Sequence, residues 1–574
     1  MRFLWAALVG CVLSVPAVAI DREAFTFTRY DLDVRIEPQQ QRLGVRGKLT
    51  LRNDSGSPQK NLSMQISSSL KWRSITEGGK TVQFLTQPYT SDLDHTGALS
   101  EAIVTLAHEV PAKGEVELEI GYEGIISQDV TRLTRIGVPA DTAKHTDWDQ
   151  IGRTFTAVRG VGYVAWYPVA MEAASLSDGD SVAEAIGRWK GRETQAEMRI
   201  TISDGRGSSE ASGELTCNSE SGQVSVEHSG RTAQAVTECS FTPLDTTVPL
   251  FVIGRYEILE GTAANVSYLT GHKTAASEFA RAAEKALPFV TEWVGESHEK
   301  AEVLELPDAA GAPYEAGSML LTPLNHVGPA AMEMTAVHQL THAAFYSERP
   351  WIREGLPHFM QALYHEHQDG RQAALDFMES HRTALVDTEK SLAGEKGGRE
   401  SEQPLAKTEL EDLYRSKAMY VWWMLRDMVG ETELKSALAN YQPDQDREPA
   451  YFERLLEAEA NIGLRWFFDD WIYHDKGLPD FRVASIFPQQ TPTGSYLVTV
   501  TIENLGGAGA EVPVTVRAQG GNTTQRLQVP GRAKNSIRFN LPSAPLEVVV
   551  NDGSVPESDI SNNGFKVQPE AEGR

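Results

Sequence analysis

The chain has 574 residues, 41% of them hydrophobic, enough for two to four domains with sizeable cores. Its formal net charge of −26 argues against nucleic acid or anionic membrane as a main partner, since both carry the same sign. No stretch beyond the N-terminus approaches twenty apolar residues, so no transmembrane segment is expected in the mature chain.

Residues 1–19 combine one positive charge, a continuous apolar run and an Ala17-Val-Ala19 end. This pattern reads as a secretory signal peptide, which places the mature protein in the periplasm or outside the cell. Leu8-Val-Gly-Cys11 has the look of a lipoprotein cleavage box, and lipid anchoring at Cys11 is the alternative.

From residue 20 to 268 a β-rich domain is expected. Phe25–Ile36, Gly47–Arg52, Glu115–Ile120 and Ala196–Ile202 alternate polar and apolar residues between clusters of Gly, Asn, Asp and Ser. A period of two means half-buried strands joined by turns. Cys217 and Cys239 lie in two further strand-like stretches, and in an exported chain they are expected to pair. Closing a loop of about 20 residues would add on the order of 3 kcal/mol.

Residues 269–481 change character. Ala275–Trp293 has helical spacing, Ala301–Leu306 reads as a strand, and helices are expected near 331–346, 353–369, 371–385, 407–428 and 451–474. The polar, Gly-rich stretch 389–406 reads as a surface loop. Within the first of the later helices stand His338 and His342, four apart, so both imidazoles project from one face one turn apart. Glu354 follows twelve residues after His342, near the start of the next helix, and can fold back toward them. Two neutral imidazoles and a carboxylate suit one zinc ion per chain, with the fourth coordination position open. A pair of buried histidines without metal is the alternative. From 482 to 574 the chain returns to alternating strands (Tyr496–Asn504, Val512–Arg517, Pro545–Val550), and a β-sandwich is expected.

The stretch His338-Gln-Leu-Thr-His342 with Trp351-Ile-Arg-Glu354-Gly355 resembles the metal pattern of the membrane alanine aminopeptidase family, peptidase family M1, which includes leukotriene A4 hydrolase. The family reads His-Glu-x-x-His with a distal Glu in Trp-Leu-Asn-Glu-Gly. Two departures stand out: Gln339 replaces the glutamate, and eleven residues separate His342 from Glu354 where the family usually has eighteen. Gly311-Ala-Pro-Tyr-Glu315-Ala-Gly317 resembles the family's Gly-Ala-Met-Glu-Asn strand, which would make Glu315 the reader of a substrate's free amine. Leu413-Tyr414-Arg-Ser-Lys-Ala418 is similar to its Tyr-x-Lys-Gly-Ala helix, which would make Tyr414 the donor to a developing oxyanion. Val164–Pro168 and Phe467–Pro479 match its saddle and end-of-domain segments. The tail from Val550 to Asn563 resembles bacterial adhesion-type immunoglobulin-like modules.

The resemblance implies a multidomain α+β protein: an N-terminal β-rich saddle, a thermolysin-like, mostly helical domain, and a C-terminal immunoglobulin-like sandwich. It implies a zinc metallopeptidase acting on peptides or proteins through zinc-activated water. Glutamine can orient a water but has no useful basicity, and loss of a general base costs about 10²–10⁴-fold. The expectation is therefore an exported, peptidase-related protein of strongly reduced activity. The alternative is a non-catalytic peptide-binding or scaffolding relative.

Overall fold

The computed structural model describes residues 20–178, 181–204, 214–218, 221–229, 232–297, 300–325, 327–395, 404–408, 410 and 412–567. The signal-peptide and Cys11 readings lie outside them. The architecture is an N-terminal β-rich domain, a central, mostly helical domain and a C-terminal β-sheet domain.

The N-terminal domain is built on an eight-stranded sheet whose central strand, Phe25–Glu37, runs parallel to Glu197–Asp204 and antiparallel to Arg42–Asn53. Its alternation is the expected one: Tyr30, Leu32, Val34 and Ile36 are buried while Asp33 and Arg35 are exposed. Cys217 and Cys239 are bonded, with Cα atoms 6.5 Å apart, and tie a three-stranded sheet to the eight-stranded one.

A five-stranded sheet opens the central region. Its order is Tyr256–Glu260, Ala264–Leu269, Ala301–Glu305, Met319–Thr322 and Tyr314–Ala316, the first two beginning upstream of residue 269. Helices Lys273–Val294, Pro329–Ala344, Gly355–Asp369, Arg371–Glu395 and Ala418–Val429 pack beside it around Trp293, Trp351, Phe359, Trp422 and Trp423.

Three helical expectations need correction. The 371–385 helix runs on to Glu395, so residues 389–395 of the expected loop are helical, and residues 396–403 lie outside the described residues. The reason is that Leu385, Val386 and Glu389 face inward. The 407–428 segment begins instead as a π-helical turn, Asp412–Lys417, followed by the regular helix. The 451–474 segment breaks at Asn461, which adopts a left-handed conformation (φ 52°) that ends the helix.

Lys417 is fully buried. Its ammonium is bonded to Glu389 Oε1 at 2.6 Å and to Asp475, and lies 5.6 Å from the Trp471 ring. Burial pushes Glu389 above its ordinary value, and Lys417 opposes this. Trp471 in turn donates its indole N–H to Gly509 O of the C-terminal domain, at 2.7 Å. That domain is a sandwich of a three-stranded sheet (Phe481–Gln490, Tyr496–Asn504, Lys534–Leu541) and a four-stranded one. Glu557 sits wholly buried between them, accepting from the Phe481 backbone N–H at 2.7 Å, Asn563 Nδ2 at 2.7 Å and Asn551 Nδ2.

Two outcomes follow. Lys417→Met leaves Glu389 and Asp475 facing each other without a cation. It should destabilise the chain by about 3–5 kcal/mol, read as a fall in denaturation midpoint. Burial raises Glu557 to about 7. Between its ordinary value and pH 7 the unfolded chain releases this proton while the folded chain keeps it. Stability is therefore fullest at the acid end and falls by up to about 3 kcal/mol as pH rises to 7. Hydrogen-exchange protection of Pro545–Val550 in the full chain, compared at pH 5 and pH 8, checks the sign, and Glu557→Gln should flatten it.

Candidate metal centre

Three chain segments converge on the site. The first is the edge hairpin Tyr314–Ala316 and Met319–Thr322, in which Glu315 lies opposite Leu320. Its turn passes through Gly317 at φ 63°, a conformation open to glycine at little cost. Alternation along the strand sends Tyr314 and Glu315 to opposite faces. Tyr314 packs edge-on to Tyr163 (5.4 Å between centroids). Its neighbour Arg159, buried and paired with Asp149 at 2.6 Å, lies over Trp148 at 3.7 Å and Tyr163 at 3.5 Å. The N-terminal domain thus holds one side of the hairpin, and Glu315 is left on the other.

The second segment is the helix Pro329–Ala344, with Pro329 at its first turn where a missing N–H costs nothing. Val337, Leu340, Ala343 and Ala344 bury it in the core. His338 and His342 sit one turn apart, their Nε2 atoms separated by 3.2 Å. Gln339, only 1% exposed, donates from Nε2 to Gly317 O at 3.0 Å, and its Oε1 has no partner among the described residues.

The third segment is the short helix Pro350–Arg353 and the helix Gly355–Asp369, with Glu354 at their junction. Trp351 is buried and stacks on Trp422 (5.3 Å), while the Trp422 indole N–H donates to Trp351 O at 3.3 Å. A Cβ at Gly355 would stand 2.4 Å from the Ala418 Cβ and 3.3 Å from Trp422, so the two helices approach only because residue 355 is glycine. This close packing delivers Glu354 to the histidines.

Glu315 Oε2 lies 3.1 Å from His338 Nε2, and Glu354 Oε2 lies 3.8 Å from His342 Nε2. Ligand atoms of Glu315, His338, His342 and Glu354 all fall within 4.8 Å of one another. Burial drives His342 down to about 4, so it is neutral near pH 7 and able to donate a lone pair to a metal. Burial opposes the charge on Glu315, but His338, His342 and Arg415 outweigh it and hold the carboxyl well below its ordinary range. Burial likewise opposes Glu354, which His342, Arg353 and Arg415 keep low. Two imidazoles and two ionised carboxylates converging on one point fit a divalent cation such as zinc.

The structure thus brings Glu315, His338, His342 and Glu354 together, with Gln339 beside them. Glu315 enters the group as a fourth donor, which spacing alone did not indicate. Tyr414 lies in the π-helical turn, its ring 5.9 Å from the Arg415 guanidinium carbon. The same turn brings Arg415 against the cluster, with Nε 3.6 Å from Glu354 Oε2. Sequence reasoning missed Arg415, Arg353 and His358. The His358 ring is 4.7 Å from that of His338, and its Nδ1 bonds Glu354 O at 3.0 Å. Its position four residues after Glu354 on one helix face was a readable signal. For Arg415 the signal was spacing: Lys417 follows Tyr414 by three residues, where the family pattern has two.

No protein-family profile matches the chain, and no curated protein does. Among solved structures, aminopeptidase A of Legionella pneumophila, in complex with aspartic acid, is similar with a TM-score of 0.60 and 12% identity over 93% of this chain. The chain spans 59% of that structure's length. At this identity the likeness is one of fold: a chain of aminopeptidase-like architecture carrying a His/Glu cluster of metal-binding type.

Gly355→Ala should force the Gly355–Asp369 helix away from Ala418. We expect a loss of about 1–3 kcal/mol of stability together with a drop in bound zinc, measured by melting and by elemental analysis of the same preparation.

Proposed function

We propose that the protein is an exported, zinc-binding relative of the aminopeptidases that holds peptides at this centre and hydrolyses them feebly because Gln339 cannot act as a base. The observation that carries this reading is the Gln339 side chain, buried beside a four-donor cluster and bonded through its amide to Gly317 O. The paired Cys217 and Cys239 support an oxidising compartment.

His338, His342 and Glu354 would hold the ion, which would supply the Lewis acidity that polarises a carbonyl and activates water. Gln339 can orient a water through its unpartnered Oε1, but an amide takes up no proton near neutral pH. Glu315 would meet a substrate's ammonium group only by leaving His338, and Tyr414 is the candidate donor to an oxyanion.

A second reading, a scaffold without chemistry, is favoured by Glu315 itself. Four protein donors around one ion make a closed site of the structural kind.

Zinc content and peptide hydrolysis of the full chain and of Gln339→Glu separate the two. One zinc per chain, and a rise of about 10²-fold or more in hydrolysis on substitution, is the expected result. Zinc without turnover in either protein would favour the scaffold. A correctly folded chain that takes up no zinc would sink both readings.

A further inference from the structure

Between the strands that end at Phe241 and begin at Phe251 runs a short loop, residues 244–247, tied to its own domain. Leu244 is fully buried and its N–H donates to Ala196 O at 2.6 Å, while the Asp245 N–H donates to Thr194 O at 3.1 Å. Asp245 adopts φ 48°, a left-handed conformation that aspartate tolerates better than most residues. The loop is thus seated in the N-terminal domain.

Two of its side chains reach the segments that carry His342 and Glu354. Asp245 Oδ2 accepts from the hydroxyl of Tyr346, four residues after His342. Thr246 Oγ1 accepts from Arg353 Nη1 at 2.6 Å. Arg353 Nε in turn lies 3.5 Å from Glu354 Oε1, while Arg415 Nε stands 3.6 Å from Oε2. A closed guanidinium–carboxylate pair has bonds of about 2.7–2.9 Å. Arg353 therefore stands beside the carboxylate without closing on it.

Resting on the metal-binding reading above, we infer that Thr246 is a positioning residue of the metal centre: it holds Arg353 off Glu354 and so keeps that carboxylate available to a cation. A guanidinium released from Thr246 has Glu354 as its nearest charged partner, and its planar fork can take both carboxylate oxygens at once. Those bonds occupy the lone pairs that a metal needs, so closing the pair opposes metal binding. Affinity for the ion is then set partly by a domain that contributes neither histidine. A displacement of the 244–247 loop would weaken the centre without touching any of its donors.

Zinc affinity of the full chain, read by chelator competition, tests this. Thr246→Val keeps the shape and removes the acceptor, and should weaken zinc by about tenfold. Thr246→Ser keeps the hydroxyl and should bind as the unaltered chain does. Arg353→Met removes the competing cation and should bind zinc equally or more tightly. In the Arg353→Met background, Thr246→Val should have no further effect. A purely structural role would weaken zinc in both backgrounds, which separates the two explanations. Thr246→Ala removes the same acceptor and answers the question if the valine variant does not fold.

Unchanged or tighter zinc binding without the hydroxyl, an equal loss in the Arg353→Met background, or a tenfold loss in Arg353→Met alone would each overturn the inference. A folded, unaltered chain that takes up no zinc counts against the metal reading and takes this inference with it. Zinc bound by the full chain with no dependence on Thr246 refutes the inference alone.

Discussion

A single buried ammonium organises much of this molecule. Lys417 can remain charged in the interior only because Glu389 and Asp475 reach it from two different segments. Glu389 belongs to the long Arg371–Glu395 helix, and Asp475 lies just beyond the last helical turn of the central domain. Lys417 itself closes the π-helical turn that carries Tyr414 and Arg415. The cation also lies near Trp471, whose indole is bonded to the C-terminal sandwich. One point of charge therefore links the turn at the rim of the His/Glu cluster, the end of the long helix and the residues that meet the C-terminal domain.

The centre is equally a product of its N-terminal neighbour. Tyr314 is held against Tyr163 and Arg159, so the strand's other face turns Glu315 toward the histidines. Arg353, next to Glu354 of the cluster, is bonded to Thr246. Although the histidines come from the helical domain, the orientation of both carboxylates depends on contacts made outside it.

This division explains what could be read from the chain. The i, i+4 spacing of His338 and His342 and the period-two strands are local properties, and local geometry carries them directly. Glu354 was legible through its context, because the adjoining Trp351 and Gly355 are the residues that pack against Trp422 and Ala418. Glu315 as a donor was not legible, since its approach to His338 follows from a hairpin braced by another domain. The 389–395 segment misled for a related reason. A charged glutamate normally signals solvent, and only the folded chain reveals that Glu389 meets Lys417. Arg415 was hidden by a change in helical period, because the extra residue of a π turn shifts which side chain faces the site.

The Gln339–Gly317 hydrogen bond also bears on how such a site can change over time. An amide at 339 donates to the Gly317 carbonyl, whereas a carboxylate there would set acceptor against acceptor. The identity of residue 339 is therefore epistatic with the backbone of the 315–318 hairpin. A glutamate placed at 339 meets a turn whose carbonyl accepts from the present amide. The gain in turnover from a carboxylate at 339 is therefore set by how readily this exposed-edge hairpin moves its Gly317 carbonyl aside.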